Sequence, residues 1–260
     1  MKKVASILAC IVCFLQCDSS QQYSFIDEYT FHLPQNYPRQ WFPENQQLTT
    51  KKTLLGKHLF YDKRLSANQT QSCASCHQQK LAFTDGKVTA VGSTGDVHFR
   101  NSMSLTNVGY IPALTWASRL HDGLAGQALI PMFGESPVEL GLAGKEKELL
   151  TRLASEKKYL QMFQEAFPED SDPITLANLT SSLEAFQRTL VSYRSSYDKY
   201  VYNHDENALT DSAKRGYQLF FSERCECFHC HNGFNFSSST RTSLSGKLGE
   251  TTFHNTGLYN

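Results

Sequence analysis

The chain has 260 residues, which is enough for two domains of ordinary size. Its 25 basic and 25 acidic side chains cancel to a net charge of zero. This balance argues against a nucleic-acid partner, since nucleic-acid-binding domains carry a basic excess.

The N-terminus has the features of an export signal. Lys2 and Lys3 form a charged start, and the apolar run 4–15 is shorter than the roughly 20 residues that span a bilayer. Cys17 follows this run and resembles the lipid-modified cysteine of a bacterial lipoprotein. We therefore expect residues 1–17 to be a lipoprotein-type signal peptide, with plain secretion as the alternative. The mature protein is then expected in the periplasm or cell envelope, with a lipid anchor.

Two C-x-x-C-H motifs follow, Cys73-Ala-Ser-Cys76-His77 and Cys227-Phe-His-Cys230-His231. In such a motif the two thiols bond to the vinyl groups of one porphyrin, and the adjacent His is placed to bind the iron. Zinc sites also use paired cysteines and are the alternative, but a His directly after each pair and the long gap between the pairs favour haem. The sequence therefore predicts two covalently bound haem c groups, with His77 and His231 as iron ligands. Cys225 is left over and is expected to be a free thiol.

An internal repeat indicates two similar units. Gly56-Lys-His-Leu59-Phe60-Tyr61 precedes the first motif, and Gly216-Tyr-Gln-Leu219-Phe220-Phe221 precedes the second. Thr50 and Thr210 stand at the same offset before them, where a hydroxyl can cap the start of a helix. Each unit is therefore predicted to contain a helix, a turn and a haem motif, as in a cytochrome c domain.

The rest of the chain is predicted to be mostly helical. Amphipathic patterns cover 145–167, which is either one helix or a pair of helices, and 174–200. A loop-rich segment over 83–139 is expected to wrap the first haem. The predicted fold class is mainly α, with two cytochrome c-like haem domains and long loops. The predicted domains are an extended segment at 18–47, a first haem domain at 48–172 and a second, incomplete one at 173–260.

Four stretches of the chain carry a resemblance to a known family: Leu55–Ser66, Cys73–His77, Ala82–Gly86 and Arg100-Asn101. They are similar to the bacterial di-haem cytochrome c peroxidase and MauG family, and the similarity runs from about Leu48 to the last residue. Within it, Ala113–Trp116 and Gln127–Gly141 resemble the MbnH-like branch, whose enzymes oxidise a tryptophan on a partner protein.

The resemblance implies that the first haem reacts with hydrogen peroxide and that the second stores and relays electrons. It places Gln127 and Glu139 in the distal pocket of the first haem, where a carboxylate can move a proton between the two peroxide oxygens. Two extra residues in this stretch leave Glu135 as the alternative acid–base group. By the same resemblance, Trp116 carries an electron hole between the haems, and Asn101 helps to hold a structural calcium ion.

The chain departs from the family pattern at two places. Ser93 stands where some members carry a His that blocks the first iron at rest, so this haem is expected to be high-spin and to react without prior reduction. His98 is the alternative ligand, although the register favours a loop position for it. The chain also stops at Asn260, before the stretch that brings the distal Met or Tyr of the second haem, and a C-terminal truncation is expected.

The sequence therefore predicts a di-haem oxidoreductase of the peroxidase type. Hydrogen peroxide is the expected oxidant, and the substrate is an electron-donor protein or a tryptophan on a partner protein. The alternative is a non-catalytic di-haem electron-transfer cytochrome, and the sixth ligand of the first haem distinguishes the two. A third interpretation is a degraded gene product with one damaged haem domain.

Overall fold

The computed structural model describes residues 27–43, 46–116, 118, 123–245, 253–255 and 257. The predicted signal peptide at 1–17, including Cys17, lies outside these residues. Over the described ranges the chain is mainly α-helical, with isolated β-bridges and no β-strand, which confirms the predicted class. None of the helices in these ranges has the length and apolar character needed to cross a bilayer.

Eight α-helices occur in the described residues: α1 Thr50–Tyr61, α2 Cys73–Cys76, α3 Leu124–Phe133, α4 Glu146–Ala154, α5 Lys157–Ala166, α6 Leu176–Arg188, α7 Ser196–Tyr202 and α8 Asp211–Phe220. Short 3-10 turns connect them at Lys63–Leu65, Gln79–Leu81, Val108–Tyr110, Cys227–His229 and Phe234–Phe236.

The two repeat helices, α1 and α8, are both capped by a threonine. Thr210 caps α8 as predicted, and its hydroxyl accepts the Ala213 N–H at 3.2 Å. In α1 the cap is Thr49, which accepts the Lys52 N–H at 3.1 Å, and the prediction of Thr50 is wrong by one residue. Residues 27–29 pair with the chain just before α1, and this pairing keeps Thr49 extended so that the helix begins after it.

The core of the first unit is formed where α1 crosses α6. A Cβ atom on Gly56 would lie 1.7 Å from the Ser182 carbonyl oxygen, so only glycine allows the two helices to approach this closely. The side chains that α1 and α6 contribute to this core are Leu55, Leu59, Phe60, Leu179, Leu183 and Phe186. The glycine of the repeat therefore serves helix packing in the first unit.

The two long amphipathic patterns each divide into two helices. The first breaks at Ser155, whose hydroxyl donates to the Thr151 carbonyl at 2.8 Å, and this leaves α4 and α5. The second gives α6 and the short α7. Because α6 packs on α1 and α3, it belongs with the first core. The predicted boundary between residues 172 and 173 stays a prediction, and we propose that the first unit continues through α6.

A separate aromatic cluster joins the second unit to the first. Tyr37, Tyr110 and Phe234 are buried together, and the Phe234 ring centroid lies 5.2 Å from that of Tyr37 and 4.5 Å from that of Tyr110. The Asn107 side-chain amide donates to the Asn235 oxygen at 2.8 Å. The chain just after the second haem motif is therefore held against the loop-rich segment of the first unit.

Candidate functional site

The first C-x-x-C-H motif lies on a single helical turn. α2 begins after Ser72, whose N–H donates to the Ser75 hydroxyl at 3.0 Å. His77 caps its C-terminal end, and the His77 N–H donates to the Cys73 carbonyl at 2.9 Å. Side chains three residues apart on a helical turn are neighbours, so the two cysteines lie on one side of the turn. This is the geometry that attachment to one porphyrin requires.

The His77 ring is oriented by a backbone carbonyl. Its Nδ1 lies 2.9 Å from the Phe83 oxygen, and because a carbonyl oxygen only accepts, Nδ1 carries the proton. This leaves Nε2 with a lone pair for iron, which is the usual arrangement of a metal-binding histidine. Burial lowers the pKa of His77 and so favours the neutral ring that binds metals. The Phe60 ring lies beside it, with centroids 6.5 Å apart.

A cavity of about 700 Å³ lies beside α2, bordered by Cys73, Cys76 and His77. Cofactor sites typically have volumes of about 300–1,000 Å³. Most of its other walls are apolar and include Phe60, Leu105, Val108, Leu114, Leu124, Met132 and Leu183. The cavity therefore suits a large apolar macrocycle that is held by two thioether bonds and one imidazole.

The zinc alternative is not supported at this motif. A structural zinc ion needs four ligand atoms that converge on one point. Among the described residues, one group of three or more His, Cys, Asp or Glu side chains converges closely enough, and its members are Glu223, Glu226 and His229, all exposed. The two cysteines and the histidine of the first motif do not form such a group, and they fit haem attachment instead.

Gln127 and Glu139 both line the same cavity as the haem motif. Gln127 lies on α3, and Glu139 lies in the loop that follows it. Partial burial raises the pKa of the Glu139 carboxyl, and His98 partly offsets the rise. Glu135 is exposed and is not part of the cavity wall. The structure thus brings Glu139 to the haem cavity and leaves Glu135 outside, while the acid–base role stays a prediction.

The segment 90–98 forms a tight hairpin beside this cavity. Val91 and Val97 pair across it, and Asn68 donates its side-chain N–H to the Ser93 carbonyl at 2.7 Å. The Ser93 hydroxyl is buried and has no hydrogen-bond partner among the described residues, and Ser93 does not line the cavity. The residue at the position of the blocking His therefore stays away from the cavity wall.

His98, at the end of the hairpin, does line the cavity. Its side chain is 15% exposed, and its Nδ1 lies 4.0 Å from Glu139 Oε1. From the sequence, His98 is an alternative iron ligand with a loop position favoured, and its place beside Glu139 was not predicted. The hairpin sets its position, because the His98 N–H donates to the Ala90 carbonyl at 2.9 Å and fixes the register.

Trp116 and Asn101 also line the cavity, and both are solvent-exposed. The Arg100 guanidinium lies 5.3 Å from the centre of the Trp116 indole, a cation–π contact. The hole-transfer role of Trp116 and the calcium role of Asn101 therefore stay predictions.

The second motif repeats the local design of the first. The His231 N–H donates to the Cys227 carbonyl at 2.9 Å, and His231 Nδ1 lies 3.1 Å from the Phe236 oxygen. The Phe220 ring lies 6.3 Å from the His231 ring, as Phe60 does from His77. Cys230 and His231 are exposed, and so is the extra thiol of Cys225. The second site thus has the thiols and the oriented imidazole, with few covering walls among the described residues.

The chain is similar to known proteins over most of its length. The sequence profile of a family described as "Di-haem cytochrome c peroxidase" matches residues 50–207. The methylamine utilization protein MauG of Methylophilus methylotrophus is 32% identical over 211 residues, which cover 81% of this chain and 60% of that protein. The cytochrome c peroxidase Ccp of Escherichia coli (strain K12) is 32% identical over 201 residues, covering 76% of this chain and 40% of that protein.

One solved structure is similar in both fold and sequence. It is the crystal structure of a MauG-like protein associated with microbial copper homeostasis, with a TM-score of 0.83 and 39% sequence identity. The match covers 89% of this chain and 66% of that one. The chain therefore spans about three fifths of the length of the MauG relative and about two thirds of this structural neighbour.

Proposed function

Because the chain belongs to the di-haem cytochrome c peroxidase family, we propose that it is a haem-dependent oxidoreductase that uses hydrogen peroxide. The family implies two haem c groups, and Cys73, Cys76 and His77 would hold the first of them. When bound, this haem supplies an iron that can accept two oxidising equivalents from peroxide.

The observation that carries the proposal is the position of Glu139 in the cavity of the first haem motif. Cleavage of peroxide needs a group that takes the proton from the inner oxygen and delivers it to the outer oxygen, which then leaves as water. A carboxylate can do both, and the raised pKa of Glu139 brings it nearer to neutral pH, where proton transfer in both directions is efficient. Gln127 can orient the two oxygens by hydrogen bonds, because its amide both donates and accepts.

The test compares two substitutions in one loop. Glu139→Gln removes the titrating group from the cavity with little change in shape, and Glu135→Gln makes the same change at an exposed position. We expect Glu139→Gln to keep both haems and to slow the reaction with peroxide by about 10²–10⁴-fold, as for other acid–base residues. Stopped-flow absorbance after mixing with peroxide measures this rate.

Two other outcomes of this comparison, and one result for the unchanged protein, are informative. If Glu135→Gln is the damaging change and Glu139→Gln is harmless, the role moves to Glu135. If neither changes the rate, the peroxidase mechanism is wrong. A low-spin first haem that ignores peroxide in the unchanged protein supports the electron-transfer cytochrome instead.

We also propose that the oxidising equivalents leave the first site for a protein substrate. Either an electron-donor protein or a tryptophan of a partner protein is consistent with relatives named as peroxidases and as MauG. Trp116 is the proposed relay, and Trp116→Phe should slow substrate oxidation more than the initial reaction with peroxide. Equal effects on both steps would place Trp116 in peroxide cleavage rather than in the relay.

The proposed location is the periplasm or cell envelope, with a lipid on Cys17. Covalent haem attachment and an export signal are consistent with each other, since both are features of proteins of the cell envelope. Cys17→Ser should move the protein from the membrane fraction to the soluble fraction after cell breakage. Retention of the variant in the membrane fraction would show that something other than a lipid on Cys17 holds it there.

A further inference from the structure

The hairpin 90–98 holds one imidazole beside the Glu139 carboxylate. His98 Nδ1 and Glu139 Oε1 are 4.0 Å apart, and both side chains line the haem cavity. This distance is longer than a hydrogen bond but within ion-pair range, so the two groups interact mainly by charge. His98 is only 15% exposed, whereas the Glu139 side chain is 38% exposed.

The hairpin is attached to the rest of the site at several points. Gln71 donates to the Gly92 carbonyl at 3.1 Å, and the Ser93 N–H donates to the Glu139 carbonyl at 2.7 Å. Gly92 permits a close approach, because a Cβ atom there would lie 1.8 Å from the Val138 carbonyl oxygen. These contacts hold the hairpin against the Glu139 loop, and they set the position of His98 relative to the carboxylate.

We propose that His98 is a positioning residue for Glu139. The protonated imidazole of His98 stabilises the ionised Glu139 carboxylate and so sets the pH range in which that carboxylate accepts protons. This inference rests on the proposed acid–base role of Glu139. His98 is assigned no contact with peroxide or with iron.

Few other charged groups could have the same effect. The remaining titratable or charged residues that line the cavity are Cys73, Cys76, His77 and Arg100. With haem attached, the two thiols become thioethers and His77 binds iron, so none of the three titrates. The Arg100 guanidinium lies over the Trp116 ring.

Two carboxylates lie on neighbouring segments. Asp96 Oδ2 accepts the Val138 N–H at 3.1 Å, and Asp85 acts electrostatically on the Cys76 and His77 side of the cavity. Burial is the largest influence on the Glu139 pKa and raises it, and His98 lowers it. Removal of His98 leaves burial unopposed, so the pKa of Glu139 must rise further. As the pH falls, the carboxylate is then protonated earlier.

The experiment uses cyanide with the intact two-haem protein. Hydrogen cyanide binds ferric haem as cyanide ion, so a nearby base must accept its proton, and no peroxide chemistry is involved. The association rate is measured against pH for the unchanged protein, His98→Gln, Glu139→Gln and the control His58→Gln. His58 is an imidazole on α1 next to Lys158, and it does not line the cavity.

In the unchanged protein we expect the cyanide association rate to fall at acid pH. In His98→Gln this fall should occur at a pH about one unit higher, because a nearby opposite charge is lost. On the steep part of the profile this is about a tenfold slower rate at fixed pH. Glu139→Gln should abolish the fall, and His58→Gln should leave it in place.

The proposal would be overturned if the fall of the cyanide association rate at acid pH occurred at the same pH in His98→Gln as in the unchanged protein. A low-spin ferric spectrum that becomes high-spin in His98→Gln would also overturn it, because His98 would then be an iron ligand. If the fall at acid pH shifts as expected but the protein does not consume peroxide, the coupling between His98 and Glu139 is supported and the proposed peroxidase function is wrong. If Glu139→Gln leaves the fall at acid pH unchanged, Glu139 is not the base, and this proposal fails together with the proposed role of Glu139.

Discussion

In the first haem unit α1 buries Leu55, Leu59 and Phe60 against α6, whereas no residue of the equivalent helix α8 is buried in the second. The motif glycines show the same difference. Gly56 is in van der Waals contact with α6, and around Gly216 a Cβ atom would meet nothing within 4 Å. Yet both motifs close the same turn and orient the same imidazole. The C-x-x-C-H geometry is therefore local, and the cavity that encloses a haem depends on distant segments.

The largest effect should come from removal of one haem attachment at a time. Cys73→Ala with Cys76→Ala should lose the first haem and leave an apolar cavity of about 700 Å³ within the core, which should greatly lower the melting temperature. Cys227→Ala with Cys230→Ala should lose the second haem with a much smaller drop. Mass spectrometry of the denatured protein counts the haems, and circular dichroism follows unfolding. Equal drops would show that the two haems support one common core.

A buried ion pair exists in the first unit and an exposed one in the second. Glu184 and Arg188 are 2.8 Å apart, with side chains only 4% and 7% exposed, and Glu184→Ala would leave the arginine charge buried and unpaired. This should cost about 3–5 kcal/mol of unfolding free energy. Glu206→Ala, which breaks the exposed pair with Lys214, should cost less than about 1 kcal/mol. Urea denaturation measures both, and similar losses would contradict the comparison.

The leucines of the repeat offer a matched pair. Leu59 is fully buried, and Leu59→Ala should cost about 2–5 kcal/mol because it leaves a cavity in the core. Leu219 is 43% exposed, and Leu219→Ala should change the unfolding free energy by about 0.5 kcal/mol or less. Denaturant unfolding of both variants provides the test. A large loss for Leu219→Ala would indicate that the second helix is covered in the intact protein.

Substitution of the two repeat glycines by alanine should change the unfolding free energy in opposite directions. Gly56→Ala places a methyl group against the Ser182 carbonyl, and the overpacking should cost about 1–3 kcal/mol. Gly216→Ala has open space and should stabilise α8 by up to about 1 kcal/mol, since alanine favours helix over glycine. Thermal unfolding distinguishes the two. A stabilised Gly56→Ala protein would mean that α1 and α6 are farther apart than described.

Some features of the molecule follow from residues that are close in sequence. The cysteine spacing, the histidine after each pair and the Thr210 cap require only a few consecutive residues, and they could be predicted from the chain alone. The mainly α class could be predicted as well, because apolar residues at helical spacing are a local pattern. The break after Arg188 was missed, since the amphipathic pattern continues across it, whereas a pair of helices was one of the two interpretations left open for 145–167.

Other features depend on contacts between distant segments, which no local pattern encodes. The packing of Gly56 on Ser182 brings α6 against α1, and it joins residues 126 positions apart. The placement of His98 beside Glu139 depends on a hairpin held by bonds from Asn68 and Gln71. Spacing along the chain specifies where a haem is attached, because attachment is covalent and local. Which side chains surround it was settled by tertiary packing, because a cavity wall is assembled from segments that meet only in the folded chain.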